Sequence, residues 1–229
     1  MPKNSNHKRL LFIATLPPSI TGSSLASNVL LNELKGHYLV DVIDFSKGSF
    51  ANGVSSLSRI VSVLKILKSI FIKSLRADMI YLVISQSVAG NIKDLLTYIL
   101  CFSKLDRMLI HLHGGGIRST VFEKYPLLEA MNRFFLKRVG GVIVLGPSLV
   151  NIFKGRMNSE RIHVVPNFSE DYLFCDEQEI EKKFFNIKPM RILFLSNLID
   201  GKGHNELLDA YKSLDQKLKN EIELHYAGS

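Results

Sequence analysis

The chain has little cysteine, no tryptophan and no long uninterrupted apolar run. Its two cysteines, Cys101 and Cys175, are far apart and belong to no CxxC or Cys/His spacing, which argues against a disulfide framework or a structural metal site. The longest apolar stretches, such as 95–102, are well short of the roughly 20 residues that a membrane-spanning helix needs. The polar, basic start MPKNSNHKR does not resemble a secretion signal. We therefore expect a cytoplasmic protein without a transmembrane segment.

The formal charge of +8 favours a polyanionic partner, which is a nucleic acid, an anionic membrane or a phosphate-bearing substrate. A basic RNA-binding domain is expected to show an aromatic stacking motif on a strand or a basic recognition helix, and the sequence has neither. We therefore expect no nucleic-acid partner.

Short apolar runs alternate with helical patterns through the first two thirds of the chain. The runs are RLLFIAT, YLVDVIDF, DMIYLVIS, RMLIHLH, GGVIVLG and RIHVVPN. The helices are predicted at 23–35, 57–76, 88–104, 120–139 and 147–157. Strict alternation of strand and helix predicts an α/β fold, a Rossmann-like parallel sheet with helices on both faces, over residues 1–168. Ligands of such sheets bind beyond the carboxyl ends of the strands.

The pattern changes after Asn167. Residues 169–189 are acidic, then mixed, and predict a linker with a short helix. Residues 190–229 predict a strand, a turn, a helix at 205–218 and a last strand. One βαβ unit cannot bury both faces of its sheet, so we expect an incomplete second lobe.

Three loops carry residues that suit a phosphate or a sugar. Gly22, which is free to adopt positive φ, follows the first strand, and Ser23 or Ser24 can cap the helix that begins there. A plain strand-to-helix turn is the alternative, because neither GxGxxG nor a P-loop is present. Lys202 and Gly203 lie before a helix, where a pyrophosphate is favoured, and a solvated lysine is the alternative there.

The segment HLHGGGIRS is the third of these loops. The two-residue period of a strand places His111 and His113 on the same side, and allows one to be buried while the other is exposed at the end of the strand. The glycines that follow, Gly114 and Gly115 among them, permit close approach by a ligand, and Arg118 adds a positive charge. A metal site needs a third ligand, which the sequence does not show, and ordinary strand-end histidines are the alternative.

Taken in order, these three loops resemble those of the family 4 glycosyltransferases of the GT-B fold. The segments that carry the resemblance are IHLHGG, VIVLGPSLVNIF, RIHVVPNF and FLSNLIDGKGHNELLDAYKSL. The resemblance implies a GT-B-like fold with an acceptor lobe and a donor lobe. It also implies transfer of a sugar from a nucleotide-diphosphate donor with retention at the anomeric carbon, without a required metal or a further cofactor.

The same resemblance assigns roles to residues of the first lobe. His113 matches the catalytic-site histidine that contacts the donor sugar, and Gly22 with Ser23 matches the loop that approaches the donor phosphate. Gly114, Gly115 and Arg118 are expected in the cleft for the sugar or the acceptor.

In the second lobe, Lys202 matches the lysine that stabilises the leaving pyrophosphate, beside Gly203. Asn197 stands where many members have an arginine, so one phosphate contact is weakened or replaced. The family's downstream glutamate pair and nucleotide-binding strands are not in the 229 residues. We therefore expect this chain to hold a nucleotide poorly and to be inactive alone.

The predicted second helix is rich in apolar and basic residues and has no acidic residue. Its cations are expected to face an anionic membrane, with a core-facing helix as the alternative. They are Arg59, Lys65, Lys68 and Lys73. Relatives that glycosylate lipid-linked acceptors dock in this way, so the resemblance favours a peripheral position at the inner membrane face.

The expected function is that of a glycosyltransferase acting on a polysaccharide or lipid-linked oligosaccharide in the biosynthesis of envelope polysaccharide, such as capsule or lipopolysaccharide. The alternative is a non-catalytic subunit that binds the acceptor or recruits the enzyme to the membrane, with the donor lobe supplied by a separate chain. A third hypothesis, a Rossmann-like nucleotide or nucleic-acid binder, requires oligonucleotide binding that survives moderate salt.

Overall fold

The computed structural model describes residues 8–18, 21–46, 56–169, 171–185, 189–198 and 200–228, without the side chains of residues 56–62 and 172. The chain divides into two compact units, Met1–Phe168 and Ser169–Ser229.

Strands and helices alternate through the first unit. Its strands are β1 (Arg9–Ala14), β2 (Leu39–Asp44), β3 (Met79–Val83), β4 (Met108–Leu112), β5 (Gly141–Val144) and β6 (Ile162–Val164). Its α-helices are α1 (Gly22–Leu34), α2 (Ser56–Arg76), α3 (Val88–Leu100), α4 (Pro126–Leu136) and α5 (Pro147–Phe153). Within the described residues the six strands form a parallel sheet of order β2-β1-β3-β4-β5-β6. The predicted α/β fold with a Rossmann-like parallel sheet is thereby confirmed.

The two faces of this sheet are covered by different helices. Leu11 and Ile13 of β1 belong to a large apolar cluster that includes buried side chains of α2, α3, α4 and α5. Leu10 and Phe12 point to the opposite face, where they pack with Leu31 of α1. Successive residues of a strand face opposite sides, and both sides here are apolar. This explains why the strands appear in the sequence as nearly continuous apolar runs.

The single helix predicted over 120–139 is wrong. A π-helical turn at Arg118–Phe122 is followed by Tyr125 with extended backbone angles (φ −128°, ψ 92°), and α4 begins at Pro126. Proline disfavours the helical conformation of the residue before it, and its fixed φ suits the first helical position. The helix predicted over 88–104 is also too long, because α3 ends at Leu100 and a 3-10 helix follows at Phe102–Arg107.

The second unit contains α6 (Glu177–Phe184), β7 (Met190–Leu195), α7 (His204–Ser213), α8 (Gln216–Lys219) and β8 (Ile222–Ala227). Strands β7 and β8 pair in parallel. The helix predicted over 205–218 is wrong, because Leu214 is extended and the Asp215 carboxylate accepts a hydrogen bond from the Leu218 amide at 2.8 Å to open α8. An Asp in this position stabilises a new helix start.

Candidate functional site

The loop after β1 leads into α1 through a capping box. The Thr21 hydroxyl accepts from the Ser24 amide at 3.1 Å, and the Ser24 hydroxyl accepts from the Thr21 amide at 2.9 Å. The cap predicted at Ser23 or Ser24 is therefore wrong, because Thr21 is the N-cap. Gly22 is the first helical residue and does not take positive φ, so the flexibility predicted for it is not used. Ser23 remains in the first turn, at the positive end of the helix dipole.

The two histidines of β4 and its carboxyl end lie on the face that α1 covers. The His111 and His113 rings stack with their centroids 3.9 Å apart, which confirms that they project on the same side. The Tyr81 hydroxyl of β3 lies 2.5 Å from His111 Nδ1. His111 is 8% exposed, whereas His113 is half-buried. Tyr81 therefore holds His111, and His111 in turn supports the ring of His113.

Burial keeps this cluster uncharged. Burial, and secondly the proximity of His113, lowers the pKa of His111 to about 3, and burial also lowers the pKa of His113. Burial raises the pKa of the Tyr81 phenol. A protonated phenol that donates to Nδ1 leaves the proton of neutral His111 on Nε2. Neutral His111 then has only its Nε2–H donor left, whereas neutral His113 has both a hydrogen-bond donor and an acceptor.

Three nitrogens of this pair are buried without a partner among the described residues: Nε2 of His111 and both ring nitrogens of His113. A buried polar atom without a hydrogen bond costs about 1–3 kcal/mol. A polar ligand or ordered water that bonds to these nitrogens removes this cost. His113 therefore has hydrogen-bonding capacity that the described residues do not use.

His113 borders a small polar cavity, of about 190 Å³, at the carboxyl ends of β1 and β3. We call it the polar cavity. The polar side chains in its wall are Thr15, Ser23, Ser85, Gln86, Lys93 and His113. The structure thus brings together Ser23 and His113, which the sequence predicted as separate candidates. Their meeting follows from the strand order, because β1 and β3 are neighbours and β4 comes next.

The glycines after β4 are packed against a side chain of the protein itself. A Cβ on Gly114 would lie 2.7 Å from the Gln86 amide, and one on Gly116 would lie 3.0 Å from its oxygen. The Gly116 amide donates to Gln86 Oε1 at 2.8 Å. The glycines were predicted to permit close approach by a ligand. The Gln86 side chain occupies the space beside Gly114 and Gly116 instead. Gly115 instead faces Leu149, whose Cδ2 would be 3.4 Å from a Cβ there.

Arg118 is not in the wall of the polar cavity. It lies on the π-helical turn, where its Nε donates to Glu123 Oε1 at 2.7 Å, and both side chains are more than half exposed. The positive charge that was predicted beside the histidines is therefore offset by a carboxylate.

Sequence reasoning missed Lys93 and Asp94 of α3, which stand beside the polar cavity. Asp94 is fully buried, its Oδ2 accepts from the Ser85 amide at 2.7 Å, and burial raises its pKa to about 6. The Lys93 ammonium lies 3.7 Å from Asp94 Oδ1 and 3.6 Å from the centre of the Phe45 ring. Burial lowers the pKa of Lys93, while Asp94 partly offsets this effect. A charged pair within an apolar helix was the signal in the sequence that could have identified them.

The candidates of the second unit lie around the start of α7. Gly203 is the N-cap with φ +88°, and Gly201 has φ +84°, a conformation that favours glycine in both places. Lys202 between them is exposed, and Asn197 follows β7 in the preceding loop. A lysine at the start of a ten-residue helix can add its charge to that of the helix dipole.

The cations of α2 divide into different environments. Lys65 and Lys68 are exposed. Lys73 is half-buried, and its ammonium donates to the Val42 carbonyl at 3.0 Å. Lys73 therefore packs against β2 and not outward, which corrects its predicted membrane-facing position. The side chain of Arg59 lies outside the described residues.

The described part of the chain contains neither a metal-binding cluster nor a membrane-spanning helix. No three His, Cys, Asp or Glu side chains converge there as a metal-binding group. None of the helices in the same residues is both long and apolar enough to cross a membrane.

No protein-family model matches this sequence, and no curated protein matches it significantly.

Proposed function

We propose that the chain is a glycosyltransferase of the GT-B type whose first unit is the acceptor lobe. It transfers a sugar from a nucleotide-diphosphate donor to a polysaccharide or lipid-linked oligosaccharide in envelope polysaccharide biosynthesis. The observation that supports this proposal is the polar cavity, where the N-terminal turn of α1 and the neutral His113 border one space at the carboxyl ends of the strands.

The two sides of the polar cavity suit the two chemical parts of such a donor. A neutral imidazole can donate one hydrogen bond and accept another, as vicinal sugar hydroxyls require. The first turn of α1 presents amide groups and the positive end of a helix dipole, which favour a phosphate. Groups that are held in position before the reaction stabilise negative charge as it develops on the leaving phosphate.

In this proposal the second unit supplies the start of the donor lobe. The glycines on both sides of Lys202 have left-handed backbone angles at the turn before α7. Lys202 and the amide groups at the start of α7 bind the pyrophosphate, and Asn197 takes the position of the arginine found in many members of the family. Lys202→Ala weakens binding of nucleotide sugars and of the free nucleotide diphosphate to the same extent, because both carry the pyrophosphate.

We also propose a peripheral position at the membrane. Among the described side chains of α2, Leu64, Phe71 and Leu75 are 46–59% exposed, and Lys65 and Lys68 are exposed on the same helix. Apolar side chains interspersed with cations favour an anionic bilayer surface. Liposome co-sedimentation tests this, with more protein bound to anionic than to neutral vesicles. Equal binding to both would contradict the electrostatic part of the proposal.

The site is tested by NMR of the seven histidine imidazoles during titration with UDP-, GDP- and ADP-sugars at millimolar concentrations. Because this chain is expected to hold a nucleotide poorly, we expect weak binding, in which one of these donors shifts the His113 signal progressively up to millimolar concentrations. The exposed His163 on β6 is the internal control, and its signal should not move. His113→Ala assigns the signal and His163→Ala is the matched variant. No shift of the His113 signal with any donor, or equal shifts of both signals, would refute the proposal.

A further inference from the structure

A second and larger cavity, of about 710 Å³, lies between α2 and α3 at the carboxyl ends of β1, β2 and β3. We call it the apolar cavity. Its apolar wall is formed by Val63, Ile66 and Leu67 of α2 and by Ile92 and Leu96 of α3. Its volume is within the range of about 300–1,000 Å³ found for small-molecule sites. A space of this size and composition suits a hydrocarbon chain better than a sugar.

The apolar cavity and the polar cavity share part of their walls. Thr15, Ser85 and Lys93 line both. A molecule with an apolar part in one space and a polar part in the other therefore passes Lys93. The two cavities together have the polarity pattern of an amphiphile.

Lys93 provides the charge that such a molecule must match. Its side chain is 31% exposed, with the ammonium above the Phe45 ring. The ammonium forms an ion pair with Asp94, 3.7 Å from its Oδ1, and the exposed part of the side chain can still meet a further anion. The N-terminal residues of α3, including Ala89 and Gly90, also line the apolar cavity and add the positive end of a helix dipole. Asp94 offsets part of the charge of Lys93, and the helix dipole adds to the positive potential that remains for an anionic group.

We propose that the apolar cavity binds the hydrocarbon chain of an alkyl or isoprenyl phosphate, with the phosphate at Lys93. Binding of the lipid phosphate does not depend on the proposed function. Only the further step, in which this lipid phosphate carries the acceptor sugar, rests on it. A sugar attached beyond the phosphate then extends toward His113 and Ser23. Of the two acceptor classes in the proposed function, a polysaccharide and a lipid-linked oligosaccharide, this inference selects the lipid-linked one and gives its lipid a binding site.

The test is calorimetric titration of the whole chain with linear alkyl monophosphates of four to twelve carbons, each below its critical micelle concentration. Affinity should rise about fourfold per methylene until the apolar cavity is filled. Alkyl alcohols of the same length should bind more weakly, because they lack the charge. Lys93→Met should remove this difference and keep the dependence on chain length. Affinity independent of chain length, or no discrimination between phosphate and alcohol, would overturn the proposal.

Two matched variants locate the binding. Leu96→Trp places a larger side chain in the wall of the apolar cavity and should reduce affinity at least tenfold. Ile99→Trp changes an exposed apolar residue of the same helix outside that wall and should leave affinity unchanged. Both native side chains are partly exposed, so neither change threatens the fold. Equal losses in the two variants would assign the binding to the exposed helix surface and refute the proposal.

The remaining outcomes separate this inference from the proposed function. Binding of alkyl phosphates without a His113 response to nucleotide sugars supports the apolar cavity and contradicts the glycosyltransferase proposal. A response of His113 to nucleotide sugars without alkyl phosphate binding supports the glycosyltransferase proposal and contradicts the lipid site in the apolar cavity. Self-association that Leu96→Trp abolishes, in the absence of alkyl phosphate binding, would identify a second copy of the chain as the occupant and refute the lipid.

Discussion

Helices α3 and α4 are joined across the core by a buried pair of amides. Asn91 and Asn132 are 1% and 2% exposed, and each donates its side-chain N–H to the other's oxygen, at 3.0 and 2.9 Å. Asn132 Nδ2 also donates to the Leu128 carbonyl at 2.8 Å. Asn132→Leu, which keeps a similar shape, removes these three bonds and leaves a donor and an acceptor of Asn91 unpaired.

The cost follows from the count of unpaired groups. Each buried polar group left without a partner costs about 1–3 kcal/mol, so Asn132→Leu should lower the free energy of unfolding by about 3 kcal/mol. Asn91→Leu should cost less, about 1–2 kcal/mol, because Asn132 keeps the bond to Leu128 and only its oxygen is unpaired. The double Leu variant should be close to the original protein, since both polar partners are gone.

The assay uses the labelling of Cys101, which is buried at the end of α3, with a thiol reagent at pH 8. Burial raises its pKa to about 11, so the native thiol reacts very slowly. The exposed Cys175 is changed to Ser in all proteins compared. When opening is fast and reversible, a loss of about 3 kcal/mol accelerates labelling by about two powers of ten. The reasoning is refuted if Asn132→Leu changes the rate less than fivefold, or if the double variant is as reactive as the sum of the single costs predicts.

Three further predictions concern the elements that border the polar cavity. Burial raises the pKa of Asp94 to about 6 from its ordinary value near 3.8. Between these pH values the folded protein therefore binds more protons than the unfolded chain. The free energy of unfolding should fall by about 3 kcal/mol as pH rises through this window. Urea unfolding at pH 4 and 7 should show this loss, and Asp94→Asn should abolish it. Thr21→Ala should lower stability by about 1 kcal/mol through loss of the N-cap, and thermal unfolding should show a smaller change for Ser23→Ala. The His111 imidazole should not titrate by NMR between pH 8 and 5, and a midpoint above pH 5 would contradict its burial beside Tyr81.

The strands and the order of elements in the first unit could be predicted because their signal is local. A run such as MIYLV is apolar throughout because both faces of β3 are covered, and this holds wherever β3 stands in the sheet. Helix ends were less predictable. The break before Pro126 and the new helix start at Asp215 depend on single residues within a helical pattern.

By itself, the sequence determined the alternation of strand and helix, the parallel sheet, and the position of His113 and Ser23 after buried strands. Only the tertiary structure decided their partners: Tyr81 on His111, Gln86 in the space of the glycines, and Lys93 between the polar and the apolar cavity. The physical reason is the separation along the chain between the residues that interact. Apolar periodicity is set by neighbours along the chain, whereas Tyr81 and His111 are 30 residues apart and meet because β3 and β4 pair.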